Sequence, residues 1–223
     1  MGGNGSMFAE VMPVFFVLLV VVFVVAFVLE RRRRDRLMAY AQEHGLTYTQ
    51  RDRELGKYLR DNVDVGGHSH AATNILENIP SPTAPDAFRY GNLRWKTGSG
   101  DDETTHNREF FLFPIPANFP ATRLKPEGFF GRAMNDINTE WMEFNKEWDV
   151  RSDNPHFASA LLSPRMQEFL MGATGNEFHI RPGTLIVLGG RYQCERCFHF
   201  RDLALQWRSL VVPFLWQDYG RQI

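Results

Sequence analysis

Val11-Met12-Pro13-Val14-Phe15-Phe16-Val17-Leu18-Leu19-Val20-Val21-Val22-Phe23-Val24-Val25-Ala26-Phe27-Val28-Leu29 is followed at once by Glu30-Arg31-Arg32-Arg33-Arg34-Asp35-Arg36. The first stretch holds 19 residues without a charge. As a helix rising about 1.5 Å per residue it would span roughly 28 Å, close to the roughly 30 Å hydrocarbon core of a bilayer. No later stretch of the chain is both as long and as uncharged. The reading is therefore an N-terminal transmembrane helix over residues 11–29. The tail, residues 1–10, carries no Lys or Arg, whereas Arg31, Arg32, Arg33, Arg34 and Arg36 follow the span directly. Positive charge stays on the cytoplasmic side. These five arginines thus orient a single-pass inner-membrane protein with its N-terminus outside and its C-terminal domain in the cytoplasm. A cleaved secretory signal does not fit, since the basic n-region, the shorter apolar run and the small-residue cleavage site are all missing.

Beyond Arg36, 187 residues carry 20 basic and 23 acidic side chains, a net charge of −3. A weakly acidic domain is a poor candidate for nucleic acid, which is held by clustered Lys and Arg. The chain's five Trp, 19 Phe and six Tyr supply ample core, so wholesale disorder is excluded. Two cysteines in 223 residues agree with a reducing compartment.

The expected organisation is a basic juxtamembrane helix over residues 30–45, stopped at Gly45, and an α+β domain over residues 46–223. That domain would consist of antiparallel strands and short helices. A short helix is expected over residues 52–59, a Pro-rich loop over 79–85, and strands over 88–97 and 108–115 around a polar hairpin loop. Trp141 to Val150 fits both helical and strand parity and is read as extended. Residues 155–162 and 164–171 read as short helices, the second capped by Ser163 and Pro164. A hairpin over 177–181 and 184–188 turns at Pro182-Gly183, and a last helix runs from Cys194 to Val212, closed or kinked at Pro213.

Cys194-Glu195-Arg196-Cys197-Phe198-His199 contains zinc-ligand types. On a helix, however, His199 lies about 140° from Cys194 and about 160° from Cys197, so the imidazole points away from the thiols. Cys194 and Cys197 read instead as the start of an apolar stripe through Phe200, Ala204, Trp207 and Val211. His68 and His70 would share one face of a strand, but no carboxylate or cysteine stands at a completing distance in sequence, and Gly66-Gly67 suggests a turn with solvated histidines. Asp101-Asp102-Glu103 lacks EF-hand spacing. No phosphate-binding loop, dinucleotide fingerprint, nucleophile elbow or zinc-protease motif is present. No metal or cofactor is expected.

Several segments together resemble a family of single-span bacterial membrane proteins with an N-terminal anchor and a cytoplasmic α+β domain of unknown function. They are Ala41-Gln42-Glu43-His44-Gly45-Leu46-Thr47-Tyr48, Gly67-His68-Ser69, Lys125-Pro126-Glu127-Gly128, the stretch Trp148-Asp149-Val150-Arg151-Ser152-Asp153-Asn154-Pro155-His156-Phe157-Ala158, and Ser163-Pro164-Arg165-Met166. The resemblance implies architecture and no catalysis. The expected function is a membrane-anchored binding or scaffold module at the inner face of the membrane, its partners the lipid bilayer and a protein. Trp207, Trp216 and Tyr219 are candidate interface anchors. The alternative is an enzyme acting on a membrane-proximal substrate, resting only on polar loop residues such as His68, His70 and Asp102.

Overall fold

The computed structural model describes residues 5–80, 86–127, 137 and 139–220, with side chains from Phe15 onward. Most of the expected N-terminal tail, residues 81–85 of the Pro-rich run and Gly128 of the Lys-Pro-Glu-Gly motif fall wholly or in their side chains outside that set. The chain divides into two compact units, Met1–His44 and Gly45–Ile223.

The first unit is essentially one helix, α1 (Gly5–Glu43). Its side chains from Phe15 to Leu29 are exposed, Phe23 to 72%. The helix passes unbroken through the arginines and ends before Gly45, whose φ of +68° suits glycine at a left-handed stop. Among the described residues no helix is long and apolar enough to cross a membrane. The expected span begins at Val11, whereas the described side chains begin at Phe15.

Among the described residues the second unit is α+β, built on one antiparallel eight-stranded sheet. Its strands are β1 (Thr47–Asp52), β2 (His68–Asn78), β3 (Phe88–Thr97), β4 (Thr104–Pro114), β5 (Thr122–Pro126), β6 (Trp148–Ser152), β7 (Glu177–Arg181) and β8 (Thr184–Leu188). They lie in the order β1-β2-β3-β4-β8-β7-β5-β6. Four strands form a meander. The β7–β8 hairpin, turned at Gly183 with φ +78°, then extends it to β5 and β6.

Alternation along β3, β4 and β8 gives the sheet two apolar faces. On one, Leu93, Trp95, Phe110, Ile186 and Leu188 pack under Leu55, Leu59 and Val63 of α2 (Arg53–Asn62) and the residue after it. The Asp52 carboxylate caps α2 by accepting from Leu55 N at 2.9 Å. On the other face, Phe88, Tyr90 and Phe111 meet Phe198 and Phe200 of α6 (Cys197–Leu210) at ring distances of 5.5–6.4 Å. α4 (Pro155–Leu161) and α5 (Pro164–Gly172) are started by Asn154 and Ser163, each accepting from the backbone N–H three residues on.

Four expectations change. The segment 141–150 is not extended throughout: α3 (Met142–Glu147) satisfies the helical stripe through Phe144, and β6 then takes over. The last helix is preceded by a 3₁₀ turn at Cys194–Arg196, and Pro213 begins a separate helix, α7 (Pro213–Tyr219). His68 and His70 stand at the start of β2 and not in a free loop. The strands β1, β2 and β5 were not expected. In β2 the register shifts between His68 and Ala71 and again between Thr73 and Leu76. Ser69 and Asn74, within those shifts, have φ of +57° and +52°.

Candidate functional site

The residues singled out in the sequence do not converge. Cys197 is fully buried in the stripe with Phe200, Ala204 and Trp207, while His199 is exposed on the other side of α6. Cys194 is half-buried; burial and the neighbouring Glu195 push its thiol up to about 11, leaving it protonated near neutrality. His68 donates from Nε2 to the Gly98 carbonyl at 3.1 Å and lies 3.8 Å from Glu103, which is itself paired with Lys96. These groups close the end of the β3–β4 hairpin. Among the described residues no cluster of three His, Cys, Asp or Glu could hold a metal ion.

Of the three candidate interface anchors, Trp207 is fully buried and belongs to the core, out of a partner's reach. Trp216 and Tyr219 are half-buried on α7 and pack against Phe119 and, for Tyr219, also Phe157 at 4.9–6.2 Å. The orienting residues Arg31, Arg32, Arg33 and Arg36 are exposed on α1, and Arg34 is half-buried.

Sequence reasoning missed two buried polar centres. At the first, the carboxylate of Glu109 on β4 is fully buried on the α6 face. It accepts from the Tyr90 hydroxyl at 2.6 Å, from Gly190 N at 3.1 Å and from the Arg196 guanidinium. Burial and this carboxylate push the Tyr90 phenol far above its ordinary pKa. Glu109 also exchanges backbone hydrogen bonds with Gly189 and Gly190. A Cβ on Gly189 would stand 2.4 Å from Glu109 Oε1 and 2.7 Å from Phe200, so glycine is what lets the strand end close on the carboxylate. From the opposite face Arg108 donates to the Gly189 and Leu188 carbonyls and to Glu177. Neighbouring residues of β4 thus hold the exit of β8 from both faces. One signal was available: Glu109 shares the parity of Phe111 and Phe113, the apolar side of its strand.

The second centre lies where β7 meets β5. His179, fully buried, stands opposite Arg123 in register and has its Nε2 3.4 Å from Glu177. Burial lowers its pKa, against the opposing pull of Glu177. Burial alone would raise Glu177, but the neighbouring imidazole and the charges of Arg108 and Lys125 outweigh it and hold this carboxyl at about 2. Arg123 bridges Asp149 at 2.8 Å and Asp64.

A cleft of about 690 Å³ is lined by Thr139, Glu140, Trp141, Ser159, Leu162 and Gln167 among others. Its polar groups serve one another: the Thr139 hydroxyl donates to Gln167 and Asn145, and Gln167 Nε2 donates to the Leu162 carbonyl at 2.7 Å. None of the perturbed acids or bases described above lines it.

No family model matches the chain, and no curated protein matches it. Its fold is that of a class of antiparallel-sheet α+β domains for which a solved example exists. The crystal structure of the mycobacterial trehalose monomycolate transport factor A, TtfA, is similar with a TM-score of 0.56 over 80% of this chain and 95% of that one. The two are 14% identical, so what they share is the fold.

Proposed function

We propose that the chain is a membrane-anchored binding module at the inner face of the membrane, and that it assists the handling of a lipid by engaging a protein partner there. The observation that carries this reading is the run of exposed apolar side chains from Phe15 to Leu29, on a helix that continues directly into exposed arginines. An apolar surface of this length is stable only when covered, and a bilayer covers it on all sides. The flanking charge supports an outside N-terminus and an inside domain. The lipid aspect draws support from the fold shared with a protein named for transport of trehalose monomycolate.

The test is fractionation of the full chain. It should sediment with membranes and resist alkaline extraction, whereas Val20→Arg combined with Val21→Arg should release it. Cross-linking in native membranes should then capture a discrete complex. Wild-type chain recovered in the soluble fraction, or recovered from membranes only as a monomer, would contradict the anchored or the binding half of the reading respectively.

A further inference from the structure

We propose that Arg31, Arg32, Arg33 and Arg36 form a collar that holds phosphate-bearing anionic lipids through paired guanidinium–phosphate contacts; the proposal rests on the anchored reading above and names the lipid chemistry that reading leaves open. On α1, successive residues turn about 100°, so Arg31, Arg32 and Arg33 project in three directions around the axis, and Arg36 falls between the last two. From Arg31 to Arg36 the helix rises about 8 Å. That matches the headgroup layer, roughly 5–8 Å on each side of the hydrocarbon core.

All four side chains are exposed. The hydrogen bond described for their side chains runs within the helix, from Arg36 Nε to the Arg32 carbonyl at 3.4 Å. Among the described residues no carboxylate is paired with any of them. Residues 30–36 keep a net charge of +3 after Glu30 and Asp35 are counted. Orientation across a membrane needs only charge, which lysine supplies equally, yet all five basic positions are arginine. Guanidinium presents two parallel N–H donors to one phosphate, which an ammonium group cannot do.

The experiment reconstitutes the full chain into vesicles of equal phosphatidylglycerol and phosphatidylcholine, extracts it in mild detergent and counts retained lipids by native mass spectrometry. Wild type should retain phosphatidylglycerol preferentially. Changing Arg31, Arg32, Arg33 and Arg36 to Gln should lower that preference by about fivefold per charge removed. Because that variant could also invert, the decisive comparison is the fourfold Arg→Lys variant, which keeps charge and orientation and should retain less phosphatidylglycerol than wild type. Equal retention of the two lipids by inserted wild type, or undiminished retention by the lysine variant, would overturn the collar while leaving the anchor standing. Failure of wild type to insert at all would remove both. Tight binding of a nucleic acid oligomer that competes with phosphatidylglycerol would also overturn it.

Discussion

The Tyr90 hydroxyl stands 2.6 Å from Glu109 Oε2 and 2.7 Å from the Gln193 carbonyl, so one proton faces two acceptors at the point where β8 gives way to the last helices. Residues 19 and 103 positions apart in sequence are thereby drawn to a single phenol. The carboxylate is the centre of this joint, because it also gathers Gly190 N and the Arg196 guanidinium.

Glu109→Ala should therefore destabilise the domain by about 3–5 kcal/mol, the range for removing one partner from a buried charged network. Glu109→Gln, which keeps the shape and one acceptor, should cost less. Urea denaturation followed by tryptophan fluorescence measures both. An alanine variant within about 0.5 kcal/mol of wild type, the range of an ordinary surface change, would show that the network contributes nothing.

Acid should unfold the domain in two steps. His179 has a folded pKa below its unfolded value, so its buried neutral form favours the fold above about pH 6.5, and that contribution is lost as pH falls through the lowered folded value. Glu177 behaves in the same direction at lower pH: its stabilisation is present above the ordinary value of 4.5 and is lost toward about 2. His179→Gln should remove the upper step and shrink the lower one without abolishing it, because Arg108 and Lys125 still hold the Glu177 carboxyl low. Melting temperatures measured from pH 8 to pH 3 give the profile, and stability rising on acidification from 7 to 5 would contradict the sign.

Gly56 sets helix propensity against packing. On propensity alone, Gly56→Ala in α2 should stabilise by about 1 kcal/mol. A Cβ there, however, would lie 2.5 Å from the Ala71 Cα of β2, and both are backbone positions with no room to yield. The substitution should lower stability and separate α2 from the sheet. A rise in melting temperature would show that the contact relaxes.

The two thiols should behave differently on replacement. Cys197→Ser buries a hydroxyl in the stripe beneath α6 and should cost about 1–3 kcal/mol, while Cys194→Ser, half-buried, should cost little. Zinc analysis of the purified wild type should find none; stoichiometric metal lost in either variant would restore a metal-site reading.

Parts of this architecture were legible because local chemistry announces them. Ser163 and Pro164 start α5, Gly183 turns the β7–β8 hairpin, and the spacing of Phe200, Ala204 and Trp207 gives the buried side of α6. β2 was not legible, since its two register shifts break the alternation that marks a strand and put Ser69 and Asn74 at positive φ. β1 is a polar edge strand, Thr47–Asp52, with no apolar period to read. The segment 141–150 looked ambiguous because it holds a helix and then a strand. Glu109 and His179 escaped notice for another reason. A charge or imidazole within a strand reads as solvent-facing, and Arg196, the partner that makes burial of Glu109 tolerable, lies 87 positions away.

The anchored, inward-facing arrangement is tested most directly by paired reporters fused after Ile223, one active only outside the inner membrane and one only in the cytoplasm. The cytoplasmic reporter should be active and the exported one silent, with the fusion in the membrane fraction. An active exported phosphatase with a silent cytoplasmic reporter would contradict that arrangement.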